Sequence, residues 1–222
     1  MAIAFFDIDH TIISSISAEK LFFFYLLKKR KIPLINFYKS FIFFIKNFFY
    51  NPKKAILQNK QYLANQNIDQ IYLDAQKCFI NEIKPIISNE AIKKLNWHKQ
   101  KGDKVVLLSG NLFFLADFIK DYLQVHDSLS TKLIIKDKII QGYIDGLHLY
   151  GNAKKIVLQD YIKKNHIENE NIYCYANSYH DIPFLECADY PFAVNASKKL
   201  KKYAKEHNWP LISFPQPQKK IN

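Results

Sequence analysis

Two carboxylates one residue apart, Asp7 and Asp9, follow the apolar run Ala2–Phe6 in the pentapeptide Asp7-Ile8-Asp9-His10-Thr11. Strand side chains alternate faces, so both acids point the same way wherever the strand continues. Like charges in one small space repel and perturb each other's pKa unless a cation lies between them. For an all-oxygen site the natural cation is Mg2+. Taken alone, the pentapeptide fits an N-terminal turn or helix cap equally well. Two further apolar runs end in the same manner: Lys104–Leu108 leads into Ser109-Gly110-Asn111, and Asn171–Ala176 leads into Asn177-Ser178-Tyr179-His180-Asp181. If the three runs are parallel strands, their polar ends meet at one sheet edge, where ligands bind. Carboxylates, a hydroxyl, amides and a lysine gathered there suit a phosphoryl group with Mg2+.

The elements around these clusters read as an α/β fold. Short, nearly continuous apolar strands, joined by Pro191–Asn195 and Pro210–Phe214, alternate with helical patterns at Leu112–Leu123, Ala153–Lys164 and Ser197–His207, which implies a Rossmann-like parallel sheet covered by helices on both faces. Leu133–Ile144, two apolar runs around Lys136-Asp137-Lys138, predicts a small β-hairpin. Between the first and second strands lies a long helical stretch: Ala18–Arg30, Leu34–Tyr50, 53–65, 68–82 and 89–101. An all-helical insertion at that point reads as a cap over a catalytic core. The tail Phe214–Asn222 reads as flexible.

The segment Leu34–Tyr50 is rich in aromatics, but its charge-free stretches are far shorter than the roughly 18 residues of a membrane span. Lys39, Lys46, Asn36 and Asn47 share one face, and Leu34, Phe37, Phe41, Ile45 and Phe48 form the opposite arc. That arc fits packing within the subdomain. A second reading is an interfacial helix, or the mouth of a pocket for a lipid-like substrate. The chain has 222 residues and a net charge of +12, and Arg30 is the only Arg among 32 basic residues. The lysine excess reads as a compositional bias spread over solvated faces; nucleic-acid binding would recruit Arg and a recognisable module, and neither is visible. A positive field still attracts anionic substrates or an anionic membrane surface. The seven histidines show no HExxH spacing, which gives zinc little support. Cys78, Cys174 and Cys187 form no CxxC pair and read as reduced thiols in a cytoplasmic protein without a secretory signal.

The ordered segments FFDIDHT, VVLLSGN, YGNAKKIVL, YANSYHDIPFLECADYPFAVNA and NWPLISF together resemble the haloacid dehalogenase-like phosphatases. Within them the chain is similar to the phosphoserine-phosphatase relatives of subfamily IB, which carry a helical cap after motif one. The resemblance spans nearly the whole chain and implies a catalytic core of residues 1–13 and 102–222 with a cap at 14–101. It implies that Asp7 is the nucleophile that forms an aspartyl-phosphate, and that Asp9 is the general acid and then base. Thr11 then braces the motif-one loop, while Ser109, Gly110 and Asn111 hold the phosphoryl oxygens. Lys154, by its spacing from Gly151, is favoured over Lys155 as the motif-three lysine. Mg2+ falls to Asp7, the Asp9 carbonyl and Asn177, with Asp181 and Ser178 in support. One position departs: Asn177 stands where the family pattern has an aspartate, so weaker Mg2+ binding is expected. The resemblance implies hydrolysis of a small phosphorylated metabolite of the phosphoserine kind. It leaves open a phospholipid head-group phosphate such as phosphatidylglycerophosphate, met at the inner face of a membrane, and a weakly active phosphate-binding protein.

Overall fold

A computed structural model of the chain describes residues 2–13, 16–167, 169–215 and 217. One sheet runs in the order β4-β3-β2-β1-β5-β6-β7. Its strands are β1 (Ala2–Phe6), β2 (Lys104–Leu112), β3 (Asp127–Lys136), β4 (Ile139–Asp145), β5 (Asn171–Ala176), β6 (Tyr190–Val194) and β7 (Leu211–Ile212). Every neighbouring pair is parallel except β3 and β4. This is the expected Rossmann-like α/β arrangement.

Strand alternation divides the core. Ala4 and Phe6, with Val105 and Leu107, pack on the face covered by α1 (Ala18–Lys28), α4 (Ile68–Cys78), α5 (Asn89–Gln100) and α6 (Phe113–Leu123). Ile3 and Phe5, with Val106 and Leu108, pack on the opposite face against α7 (Asn152–Lys164), α8 (Ile182–Leu185) and α9 (Lys198–Glu206). Both faces are buried, which is why these strands lack polar alternation. Within the first face, the α5 residue His98 is fully buried and bonds Asp103 and the Tyr175 hydroxyl, each at 2.8 Å.

The segment between β1 and β2 is helical, as expected, but its pieces differ from the sequence reading. Residues 53–65 are not one helix: α3 (Pro52–Leu57) stops, and a 3-10 turn follows at Gln61–Leu63. Asn59 explains the break. Its amide donates to the Ser40 carbonyl (2.8 Å) and its Oδ1 accepts from the Gln61 N–H (3.3 Å), so side-chain bonds replace helical ones. The apolar arc of α2 (Leu34–Phe48) does not pack inward. Asn36 is buried and donates to the carbonyls of Tyr62 (3.3 Å) and Ala64 (2.7 Å), while Leu34, Phe37, Tyr38, Phe41, Ile45 and Phe48 face outward. The reading of that arc as subdomain packing is therefore corrected.

The expected hairpin at 133–144 is present as β3 and β4, and it is joined to the main sheet. β3 pairs in parallel with β2 over its first half and antiparallel with β4 over its second, so the hairpin is the edge of the main sheet. It grips the helical segment by backbone: Asn65 N–H donates to the Ile140 carbonyl (2.8 Å), Ile140 N–H to the Gln66 carbonyl (2.9 Å) and Ile68 N–H to the Lys138 carbonyl (2.9 Å). Gln61 Nε2 adds a bond to the Gly142 carbonyl at 2.8 Å. The start of the tail is held too. Phe214 is buried, its N–H donates to Asn195 Oδ1 (2.9 Å), and the Pro215 carbonyl accepts from Ser88 Oγ (2.7 Å). The remainder of the expected flexible tail, residue 216 and residues 218–222, lies outside the described residues.

Gly142 sits where hairpin and helices meet, with φ +78°, and an added Cβ there would come within 2.9 Å of both Ala64 Cβ and Gln61 Nε2. Gly142→Ala therefore combines left-handed strain with a clash. We expect a loss of about 1–3 kcal/mol, read as a lower midpoint in urea unfolding.

Candidate active site

β1 stops at Phe6, yet Asp7 N–H still donates to the Tyr175 carbonyl at 2.9 Å and so continues the strand's line. Asp7 keeps the parity of Ile3 and Phe5 and faces the side of the sheet that α7 covers. Gly151, at φ 59°, lets the chain turn into α7, and Lys154 lies in that helix's first turn. Its ammonium reaches Asp7 Oδ1 at 2.7 Å and Asp181 Oδ1 at 2.9 Å. All three side chains are buried. Lys155 is half-buried and takes no part in this cluster, so the geometry selects Lys154. Asp181 comes from the turn after β5, which also brings Asn177 and Ser178; Ser178 Oγ accepts from the His180 N–H at 3.2 Å. Thr11 Oγ1 donates to Asp7 Oδ2 at 3.3 Å.

The Asp9 carboxylate turns elsewhere. Its Oδ1 accepts from the Ala18 N–H and from Asn111 Nδ2, each at 2.9 Å. Asn111 also donates to Ser109 Oγ (3.1 Å), and its Oδ1 accepts from the Glu19 N–H (3.2 Å). One amide thus ties the end of β2 to the motif-one loop and to the start of α1. The sequence reading ended this strand at Leu108. It runs on to Leu112, with an irregular register against β3 between Leu108 and Leu112, so Ser109, Gly110 and Asn111 lie within its bulged end rather than after it. Thr131 Oγ1 holds the bulge by donating to the Gly110 carbonyl (2.9 Å).

These groups line a cavity of about 750 Å3, shared by Asp7, Asp9, Ser109, Gly110, Asn111, Lys154, Asn177, Ser178 and Asp181. Thr11 stands behind Asp7. The same cavity is walled by residues that sequence reasoning missed: Glu19, Lys60, Tyr62 and His148. Lys60 is buried and paired with Glu19, whose Oε1 also accepts from the Tyr62 hydroxyl at 3.1 Å. Lys60 is one lysine among many, and no spacing distinguishes it in the sequence. Asn195 was missed as well; its amide donates to the His10 carbonyl at 3.1 Å and steadies the motif-one loop.

Burial pushes the Asp7 carboxyl well above its usual value, Lys154 pulls it back in part, and the charges of Asp181 and Asp9 add to the rise. Burial also raises Asp9, against the bonds from Asn111 and Ala18. For Lys154 burial pushes down, but Asp181 and Asp7 outweigh it and hold the ammonium charged. Two carboxylates, Asp7 and Asp181, share one ammonium, and the charge of Asp9 lies close by; the resulting negative, oxygen-rich centre suits a hard divalent cation. Among the described residues no three His, Cys, Asp or Glu side chains form a metal-binding group. Asp7, Asp9 and Asn177, the residues to which the motif resemblance gives the metal, line the same cavity.

Fold and site define an α/β protein with a buried, lysine-paired carboxylate at the carboxyl end of the central strand. The chain belongs to the haloacid dehalogenase-like hydrolases, whose family model matches residues 4–186. A probable phosphatase of Mycobacterium tuberculosis is 26% identical over 218 residues, which cover 96% of this chain and 76% of that one. The solved structure of a Bordetella pertussis protein of unknown function superposes with a TM-score of 0.82, covering 96% of this chain and 99% of that one at 19% identity. A phospho-aspartyl intermediate analogue of phosphoserine phosphatase superposes with a TM-score of 0.64, covering 99% and 96% at 17% identity. These two likenesses establish the shared fold.

His148 lies against Thr131 Oγ1 at 3.1 Å, and burial, aided by Lys60 and Lys154, pushes its imidazole down to about 4. An unfolded histidine takes up its proton near pH 6.5, while this one stays neutral in the folded chain to about pH 4. Acid therefore favours the unfolded chain across that window, by up to about 3 kcal/mol at its lower end. His148→Gln should flatten the fall in stability between pH 6.5 and 4; urea unfolding at several pH values reads this directly.

Proposed function

We propose that the protein is a Mg2+-dependent phosphomonoester hydrolase working through an aspartyl-phosphate on Asp7. The buried Asp7–Lys154–Asp181 cluster at the floor of the cavity carries this reading. An Asp7 oxygen attacks phosphorus, the ester P–O bond breaks, and Asp9 delivers its proton to the leaving oxygen. Burial keeps Asp9 protonated to a higher pH than an ordinary aspartate, which suits an acid. Asp9, now ionised, then takes a proton from water as that water attacks the acyl phosphate, and inorganic phosphate leaves Asp7 free. Lys154 neutralises phosphoryl charge, and Ser109 with the Gly110 and Asn111 backbone is placed to bond the equatorial oxygens. Asp7, the Asp9 carbonyl and Asn177 would hold Mg2+, which would supply further charge neutralisation.

In this reading residues 14–101 form the cap, and its side chains choose the substrate. The Glu19–Lys60–Tyr62 group supports a small polar metabolite with charged groups of its own, as in phosphoserine. A second reading, a phospholipid head-group monoester, is favoured by the cavity's other wall, where Phe23, Phe44, Ala55, Ile56 and Leu57 are apolar.

Asp7→Asn should abolish phosphate release from an aryl phosphate in the presence of Mg2+ while leaving the circular dichroism spectrum intact. Turnover by that variant would overturn the covalent mechanism. Asn177→Asp adds a charge to the metal donors, and we expect Mg2+ half-saturation of turnover to fall about tenfold. An unchanged half-saturation would remove Asn177 from the site, and brisk wild-type turnover would exclude a mere phosphate-binding role.

A further inference from the structure

The cap helix α2 is built inside out. The side of the helix that carries Asn36 and Ser40 faces the protein, with Asn36 pinned to two carbonyls and the Ser40 carbonyl held by Asn59, while Lys46 stays exposed. Its apolar arc faces away: Leu34 is 86% exposed, Tyr38 61% and Phe41 60%, and the following Phe49 and Tyr50 are 84% and 92% exposed. Ile45 and Phe48 continue the arc, and Phe24 and Leu27 of α1 and Ile56 of α3 add to the exposed apolar surface. A surface this apolar, held in place by the amides of Asn36 and Asn59, marks an interaction site rather than loose packing.

Charge selects the partner. From Lys20 to Ile68 the chain carries ten Lys and Arg and no Asp or Glu, out of a net charge of +12 for the whole protein. Lys31 pairs with Asp74 and the buried Lys60 with Glu19, which leaves eight basic residues and no acid in the segment with the exposed aromatics. Lys28, Lys29 and Arg30, just before α2, and Lys46 within it are all exposed. A second copy docked on this face would set one basic segment against another, which opposes association. An anionic lipid surface satisfies both features at once: aromatics enter the acyl boundary and ammonium groups meet lipid phosphates. Among the described residues no helix is long and apolar enough to cross a membrane, and α2, at about 22 Å, is suited to lying in the membrane plane.

We propose that α2 docks the protein on anionic membrane surfaces, with its apolar arc inserted at the head-group boundary. Ser40 and Phe44 of α2 and Ile56 of α3 line the catalytic cavity, and Ile56 is also exposed on the outside. Docking thus sets the apolar wall of the cavity beside the lipid, so that a phosphomonoester with an apolar tail can enter from the membrane. That consequence for the substrate rests on the phosphatase reading; the docking itself does not.

The test is co-sedimentation of the whole chain with vesicles of phosphatidylcholine alone and of phosphatidylcholine with an equal part of phosphatidylglycerol. The Asp7→Asn variant is run beside the wild type, so that failure of the chemistry and failure of docking are read separately. Both proteins should bind the anionic vesicles at low salt, release as salt rises, and bind phosphatidylcholine weakly. Phe41→Ser with Ile45→Ser, two exposed positions outside the cavity lining, should weaken binding about tenfold or more while leaving turnover of a soluble aryl phosphate unchanged. Docking is overturned by a wild type that ignores anionic vesicles at low salt, or by an equally strong double variant, which would leave only diffuse charge attraction. It is also overturned if the wild type is a dimer in solution that the double substitution splits into monomers, because the face would then belong to a second copy.

Discussion

One buried ammonium, that of Lys154, lies between Asp7 from the end of β1 and Asp181 from the turn after β5, and the site is arranged around that contact. Burying three ionised groups carries a desolvation cost that close pairing offsets only in part. Removing the lysine alone would leave two carboxylates facing each other without water, typically a loss of about 3–5 kcal/mol. A packed apolar trio would hold the fold as well or better. The arrangement makes sense as preorganised charge, held where a phosphoryl group would bring more negative charge. It also explains the strictness of the surrounding geometry, from the glycine turn into α7 to the continuation of the β1 line by Asp7.

A second linkage joins this centre to the helical segment. Asn111 bonds Asp9, Ser109 and the Glu19 backbone, and Glu19 in turn holds the buried Lys60. The acid, the end of β2 and the start of α1 therefore share one set of hydrogen bonds, so any movement of α1 is felt at Asp9. A polar wall on one side of the cavity and an apolar wall on the other meet over the same floor.

The α2 helix separates two meanings of amphipathicity. Its sequence has a clear apolar arc and a clear polar stripe, and in most surface helices the apolar arc is the one that packs. Here the Asn36 side packs, because Asn36 reaches the Tyr62 and Ala64 carbonyls at the 3-10 turn Gln61–Leu63 and because Asn59 reaches the Ser40 carbonyl. Those partners lie 19 to 28 residues away in the chain, and no periodicity within the helix reveals them.

The strands that end in acids and amides were legible because strand burial leaves a continuous apolar run and the site leaves a polar break at its end. The α/β class, the order of the central elements and the residues Asp7, Asp9, Ser109, Asn111, Lys154, Asn177 and Asp181 all follow from that pattern, together with the motif resemblance. What tertiary structure alone decided has a common cause: each item depends on partners far apart in sequence. The burial of Lys154 between Asp7 and Asp181 came from which side of α7 faces the end of β1. The merging of the hairpin into the main sheet came from a parallel pairing of β3 with β2. The recruitment of Glu19, Lys60, Tyr62 and His148 came from the folding of the helical segment over the sheet edge. The outward turn of the α2 aromatics came from carbonyls that only the folded cap brings beneath Asn36. A sequence records which residues are apolar or charged; which way they face is settled by the hydrogen bonds available once the chain has closed on itself.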